Sequence, residues 1–217
     1  MKFYNSLGPN PRCVRMFMAE KGITIPMAEI NILAGENRKP PYTDKNPGGQ
    51  MPALELDNGS TLAETVAICE YLEEKYPTPA LIGTTPEERA EERMWQRRIE
   101  LNITEHLYNG FRYAEGLQMF KDRMHCLPEA AAGLKAIVQE KLEWLDKLLE
   151  GKQYIVGNRF TLVDIILFSA LDFGAGVGQT INPKLKNLTA WFERVAARPS
   201  AAASLYPKEK SSGMRGV

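Results

Sequence analysis

Few side chains in this chain are of the types that attack, ligate or transfer protons. Cysteines stand at positions 13, 69 and 126, and histidines at 106 and 125. No Cys-x-x-Cys pair occurs, which argues against a dithiol redox centre and a zinc ribbon. His106 and His125 lie too far apart, with only Cys126 beside them, for metal ligation, so no metal site is expected. Cys13 is expected about one turn inside a helix, in packing contact. A second kind of chemistry needs no nucleophile. Glu64-Thr65 stands at the start of a helical stretch ending near Tyr76. Free N–H groups and the helix dipole make such an end attract a carboxylate. An ordinary helix cap is the plainer reading of the same pair. A helix N-terminus near Asn10, with its side-chain amide alongside, offers a second end of this kind.

The elements that position these groups follow from periodicity and turn residues. Residues 2–5 read as a strand, and residues 8–11 as a Gly/Pro/Asn turn. Residues 12–21 read as a helix with Val14, Phe17 and Met18 on one face, stopped by Gly22. Residues 27–32 alternate as a second strand. A polar loop over 34–50 precedes two short strands that flank Asp57-Asn58-Gly59, a hairpin signal. Residues 63–76 form a helix with Ile68, Leu72 and Tyr76 spaced by four. The order βαβ, loop, ββα predicts a small α/β unit with a mixed sheet over residues 1–77. Residues 78–86, rich in Pro and Thr, read as a linker. Residues 87–217 read as all helical, with Trp95, Ile99, Ile103, Leu107 and Phe111 stepping by four along one face. Pro128 suits a helix start, Gly151 a stop, and Thr161 with Asp164 a capping box. A last helix runs over 183–198, and the polar tail from Lys208 is expected to fray.

Composition narrows the function classes. Apolar residues make up 44% of the 217, and the 27 Lys and Arg balance the 27 Asp and Glu. A nucleic-acid footprint and a polybasic membrane patch are therefore not expected. The apolar runs are too short to cross a bilayer, and the first residues do not read as a signal peptide. Three sparse cysteines suit a reducing cytoplasm. The three Asn-x-Ser/Thr sequons then read as chance.

Four local sequences, taken together and in order, resemble the cytosolic glutathione S-transferases. They are Arg12-Cys13-Val14-Arg15, the run from Asn46 through Gln50-Met51-Pro52 to Leu54, the run Leu62-Ala63-Glu64-Thr65-Val66-Ala67-Ile68, and the run from Gly157 to Ile165. The resemblance implies a thioredoxin-like N-terminal domain, an all-α C-terminal domain and a homodimer. It implies glutathione as co-substrate, a small electrophile as second partner, and no further cofactor. It places a cis-proline at Pro52, whose turn exposes the Met51 backbone for strand-like pairing with the cysteinyl part of glutathione. Thr65 then takes the γ-glutamyl carboxylate, Glu64 the α-amino group, and Gln50 the peptide backbone or the γ-glutamyl end. One of Arg38, Lys39 and Lys45 is expected to meet the glycine carboxylate, although each alone reads as a solvated base. Tyr108, Phe111, Arg112 and Tyr113 lie on the helix that carries electrophile-pocket or water-activating residues in the family. Read by themselves, Phe111 is core and Arg112 surface.

The thiol-activating position departs from the family. Where a Tyr, Ser or Cys usually stands, this sequence has Gly8, Pro9 and Asn10, with Ser6 slightly early and Tyr4 in the strand. Asn10 and Ser6 are the candidates for donating a hydrogen bond to the sulfur, and water is another route. The expected function is conjugation of the glutathione thiolate to electrophiles in a detoxifying role. The alternatives are a noncatalytic glutathione- or ligand-binding protein on the same scaffold, and a glutathione-dependent reductase or peroxidase. The last would prefer a cysteine between positions 8 and 10.

Overall fold

The structure is a computed structural model that describes residues 1–207. The tail from Lys208, expected to fray, lies outside the described residues. The chain forms two compact units. One joins Met1–Leu81 with the segment from Pro199, and the other spans Ile82–Arg198.

In the first unit, β1 (Lys2–Asn5) pairs in parallel with β2 (Met27–Glu29), with Phe3 opposite Met27. The crossover between them is α1 (Pro9–Glu20). This helix begins three residues before the expected position 12. Pro9 and Pro11 have no N–H to lose in a first turn, and proline already holds a helical φ. It ends as expected at Gly22, where φ is 64° and the Ile23 N–H reaches back to Met18 O at 2.9 Å. β2 is shorter than expected. The Asn31 side chain accepts from the N–H groups of Leu33 and Ala34, each at 3.0 Å, which turns the chain away from the sheet.

A short helix, α2 (Tyr42–Lys45), precedes the antiparallel hairpin of β3 (Ala53–Glu55) and β4 (Thr61–Ala63). The sheet order is β2-β1-β3-β4. α3 (Thr65–Lys75) starts two residues later than expected, because Ala63 is held in the ladder opposite Ala53. Phe3, Val14, Phe17, Leu54, Ile68 and Leu72 are fully buried and form the core of this unit. A separate cluster joins Tyr4, Tyr42 and Ala53, with Met51 packed against it.

The second unit is helical. It contains α4 (Pro86–Ile99), α5 (Glu105–Arg112), α6 (Leu117–Phe120), α7 (Ala131–Leu148), α8 (Leu162–Gly176) and α9 (Lys186–Ala196). α4 runs into α5 through a π turn, Glu100–Thr104, in which the Glu105 N–H bonds Glu100 O. That turn explains the four-residue stripe. Each four-residue step advances an α-helix by about 40°, so a long stripe drifts off its face. One wider turn winds it back, and Trp95, Ile99, Ile103 and Leu107 all stay buried.

α8 is buried on every side from Leu162 to Gly174, and apolar there but for Asp164, Ser169 and Asp172. Its capping box is present: Asp164 accepts from Thr161 N–H at 2.9 Å, and from Ile155 N–H and the Trp191 indole at 3.0 and 2.8 Å.

Two features differ from the expected division. The segment read as a linker begins with fixed chain: Lys21, paired with Glu73 at 2.7 Å, donates to the carbonyls of Tyr76 and Pro79. Leu81 N–H donates to the same Glu73 at 2.9 Å. The last helix, α10 (Pro199–Ala203), belongs with the first unit rather than the helical one. Arg12 donates to Ser204 Oγ and Ala201 O, and Arg15 to Ser204 O, which anchors this segment along α1.

Asp164 supplies a test of the packing. Burial pushes its carboxyl up to about 6, against the pull of its backbone, indole and hydroxyl donors. A folded value above the unfolded one means that protonation favours the folded state, and that this contribution grows as pH falls toward about 4. The stability margin of wild type over Asp164→Asn is therefore expected to widen between about pH 6 and pH 4. Urea unfolding at stepped pH measures it, and a constant margin contradicts the assignment.

Candidate functional site

Helix starts expose N–H groups that their own helix cannot pair, so each start shows what satisfies it. For α4, Thr85 accepts from Glu88 N–H at 3.2 Å. For α8 it is the Thr161–Asp164 box. For α9, Asp146 accepts from Leu188 N–H at 2.8 Å. α5 continues from the π turn, and α7 from a short 3-10 turn, Pro128–Ala130. α1 and α3 differ. Neither has a side-chain cap, and neither has an acidic residue in its first turn. The four-residue helices α2 and α6 also lack a side-chain cap, but those two start from backbone turns onto Lys39 O and Ala114 O. Both lie in the first unit.

At α3, Glu64 occupies the N-cap with φ 69° and ψ 122°, the one non-glycine residue at positive φ among those described. Its exposed carboxylate does not turn back to cap the helix. The capping reading of Glu64-Thr65 therefore does not hold, and the first amides of α3, those of Thr65 and Val66, have no side-chain cap.

The Met51–Pro52 peptide is cis, immediately ahead of β3. The loop before it is pinned from behind. Tyr42 Oη and Asn46 Nδ2 donate to Gln50 O at 2.5 and 2.9 Å, Asn37 Nδ2 to Gly49 O at 2.7 Å, and Arg38 Nη1 to Gly48 O at 3.3 Å. Gly49 has φ 58°, and a Cβ there would come within 2.8 Å of Asn37 O, so only glycine fits. The exposed Gln50 side chain is not used in this pinning.

At α1 the backbone is unusual. Gly8, with φ 128°, is the N-cap, and Arg12 N–H already bonds Gly8 O at 3.1 Å. Pro9 and Pro11 carry no N–H. Asn10 is then the one residue of the first turn with a backbone donor to offer outward, and its side-chain amide stands half-buried beside it. Ser6 is unlike the expectation. It is buried, and its single hydroxyl proton goes to Ile30 O at 2.7 Å, so it has none to give a sulfur. Cys13 is buried in α1, as the sequence suggested.

The three basic candidates separate. Arg38 braces the Gly48–Gln50 loop. Lys45 pairs with Glu55 at 2.8 Å, and that hydrogen bond holds its ammonium above the usual range. Tyr4 Oη donates to the same carboxylate. Lys39 is exposed. Lys39 and Lys45 share the wall of a cavity of about 420 Å³ with Tyr4, Ile30, Pro41 and Tyr42.

In the second unit, Tyr108 and Phe111 on α5 both meet Phe173 of α8 edge to face, with ring centroids 6.1 and 5.0 Å apart. Phe111 also meets Phe120, over which the Arg112 guanidinium lies at 5.8 Å. Phe111 is thus half-buried in an aromatic cluster rather than deep core. Arg112 stacks on that cluster instead of extending into solvent. Tyr113 follows as the C-cap of α5. The sequence reading missed Phe120 and Phe173 as members of this cluster. Phe173 lies more than 60 residues from Tyr108 and Phe111, and Phe120, nine residues beyond Phe111, follows the end of α5, so aromatic type was the one signal of either.

Glu64 yields a test that needs no ligand. A side chain held at positive φ costs about 1–3 kcal/mol, and glycine at that position removes most of it. Glu64→Gly is expected to raise the unfolding free energy by about 1 kcal/mol, whereas Glu64→Ala keeps the strain. Denaturant titration of both variants checks this, and equal stabilities contradict it.

Comparisons with known proteins agree with this arrangement. A family model described as "Glutathione S-transferase, N-terminal domain" matches residues 8–75, and one described as "Glutathione S-transferase, C-terminal domain" matches residues 127–199. Glutathione S-transferase 2 of Saccharomyces cerevisiae is 32% identical over 212 residues, covering 94% of this chain and 89% of the relative. A glutathione S-transferase domain-containing protein of Marinobacter aquaeolei superposes with a TM-score of 0.87 at 35% identity, over 92% of this chain and 99% of the other. Gtt2 from Saccharomyces cerevisiae superposes at 0.88 with 31% identity, over 94% and 100%. Family models match both ends of the sequence, and relatives match nearly its full length, so the chain belongs to the glutathione S-transferase family.

Proposed function

We propose that this glutathione transferase conjugates the glutathione thiolate to small electrophiles and activates the thiol without a tyrosine, serine or cysteine side chain. The observation that carries the reading is the pair of helix starts, α1 and α3, that no side chain of their own unit caps. The γ-glutamyl carboxylate sits on the first turn of α3 and accepts from Thr65, with Glu64 meeting the α-amino group. The cysteinyl backbone pairs with Met51 beside the cis Pro52, and Gln50 steadies the peptide. Lys39 meets the glycine carboxylate, because the charge of Lys45 is offset by Glu55. The sulfur then lies at the first turn of α1, where Asn10 donates.

A thiol with a pKa near 8.5 is only a few per cent ionised at pH 7, and lowering that value by two units takes about 2.7 kcal/mol. The α1 dipole and the Asn10 donors divide this work. The thiolate, held in line with an electrophilic carbon, forms the new S–C bond. The electron pair of the broken bond leaves with the departing group, or moves onto the adjacent atom in an addition. The aromatic cluster of Tyr108 and Phe111, with Arg112 and Tyr113, is the surface we assign to the electrophile. No cofactor beyond the co-substrate is needed for this reaction.

We further read the protein as a homodimer working in the cytoplasm, in detoxification. Met94 and Leu101, 42% and 55% exposed, are two apolar side chains on α4 and its π turn that a second copy would cover. The free cysteines suit a reducing compartment. No helix of the described residues is long and apolar enough to cross a membrane.

Three substitutions test the site. Thr65→Ala is expected to weaken glutathione binding by about 1–2 kcal/mol with little change in folding, measured by calorimetric titration; unchanged affinity removes Thr65 from the site. Asn10→Ala is expected to raise the pKa of the bound thiol by part of the total shift, read from thiolate absorbance. Cys13→Ala is expected to leave pKa and rate nearly intact. Near-complete loss of activity in Cys13→Ala, with affinity preserved, would move the protein toward cysteine-dependent thiol transfer.

A further inference from the structure

Arg15 is 92% buried by side-chain contacts that converge on it from three directions, its own exposure being 8%. Its Nη1 donates to Asn5 Oδ1 at 2.7 Å and to Ser6 O at 3.0 Å, at the end of β1. Its Nε donates to Ser204 O at 2.8 Å, just past α10. Its guanidinium carbon lies 5.4 Å from the centre of the Tyr206 ring. Its Nη2 is buried without a hydrogen-bond acceptor among the described residues. The charged groups facing it are Arg12 on its own helix, Glu29 on β2 and the Tyr206 hydroxyl from the C-terminal segment. Asn5 and Tyr206 both donate to Glu29, so Arg15, Asn5, Glu29 and Tyr206 close a ring of polar contacts. Burial brings the guanidinium down to about 10.

A buried arginine with one unsatisfied nitrogen is a costly way to hold a helix in place. Its position shows what it controls. Asn5 and Ser6 lead directly into Gly8, Pro9 and Asn10. The first turn of α1 is closed by Arg12 N–H on Gly8 O and stiffened by Pro9 and Pro11, so what remains to be set is where that turn sits against β1. The fixed reference comes from Arg15 through Ser6 O on one side and Ser204 on the other. α10 reinforces this along the helix, with Ser200 bonded to Glu20 and Arg12 bonded to Ser204 and Ala201.

We infer that Arg15 is a positioning residue for thiol activation, setting the β1–α1 turn and thereby the Asn10 donors, and that Ser204–Tyr206 is the brace it works against. This rests on the reading that the bound sulfur lies at the first turn of α1. Arg15 does not touch glutathione in this account. Its loss moves the donor, not the peptide-binding groups at Met51, Thr65 and Gln50. The kinetic signature is therefore a split. kcat falls and the thiol pKa rises, while KM for glutathione stays nearly constant. At high pH, where the thiol ionises unaided, the deficit disappears.

The test uses the full chain and three variants. Arg15→Lys keeps the charge but cannot span Asn5, Ser6 and Ser204 together. It is expected to lower kcat about tenfold near neutral pH, with KM for glutathione within about twofold, and to recover most of the rate at about pH 9. Thiolate absorbance of its glutathione complex is expected to titrate at higher pH than in wild type. Tyr206→Leu, which leaves every Arg15 hydrogen bond in place, is expected to shift the same two readouts in the same direction by a smaller factor. It keeps the test decisive if Arg15→Lys does not fold. A pH-independent loss of rate with an unmoved thiol pKa in the folded variants overturns the inference, because a merely structural role gives that result. Asn10→Ala separates the two readings. If it raises the thiol pKa while Arg15→Lys and Tyr206→Leu do not, only the brace is wrong. If Asn10→Ala leaves the thiol pKa unmoved, the Asn10 side chain gives the sulfur no hydrogen bond, and both readings fall.

Discussion

A helix begins with amide groups that no carbonyl of its own can reach, and this structure is organised around where those groups find partners. α4, α8 and α9 find them in Thr85, in the Thr161–Asp164 box and in Asp146. Those are closed ends, and their role is to hold a fold. α1 and α3 are left open on one unit, within a scaffold whose neighbouring turns are tightly tied: the cis Met51–Pro52 turn by Tyr42 and Asn46, and the β1–α1 turn by Arg15. Rigid surroundings with unpaired donors favour an anionic ligand, because the donors are oriented before it arrives and water is their only competitor.

The two open ends differ in how they are opened. α3 keeps its amides and distorts the residue ahead of them, placing Glu64 at φ 69°. α1 removes amides instead. Prolines at 9 and 11 reduce the first turn to a single donating residue. The first suits a carboxylate, with two oxygens to satisfy. The second suits a single-atom acceptor such as sulfur, for which additional donors would have nothing to meet.

Much of this was legible from local sequence. Lys2–Asn5, the Asp57–Gly59 turn, the Gly22 stop and the capping box of α8 are each set by residues within a few positions of one another, so pattern and structure coincide. The cis Met51–Pro52 turn and the start of α3 were legible through their resemblance to a family. What was not legible depends on distant partners. Glutamate carries no preference for positive φ, so the backbone at Glu64 could not be read from its type. The Ser6 hydroxyl looked available until Ile30, 24 residues on, took its proton. The π turn left only an over-regular four-residue stripe as its trace. The return of α10 to the first unit rests on bonds between Arg12, Arg15 and a segment nearly 190 residues away, which no local pattern encodes.

That last connection bears on how the protein is made. Chain leaves the ribosome from its N-terminus, and domains usually complete themselves in that order. Here the sheet and the helices α1 to α3 are all synthesised by Leu81, yet α10 and the Ser204 acceptors of Arg12 and Arg15 emerge only after the whole helical unit has been translated. Until then Arg15 has its Asn5 and Ser6 acceptors but not Ser204, and α1 lacks the segment that is bonded along it. The nascent protein thus has its sheet before its first unit is whole, and completion of that unit is coupled to emergence of the segment from Pro199.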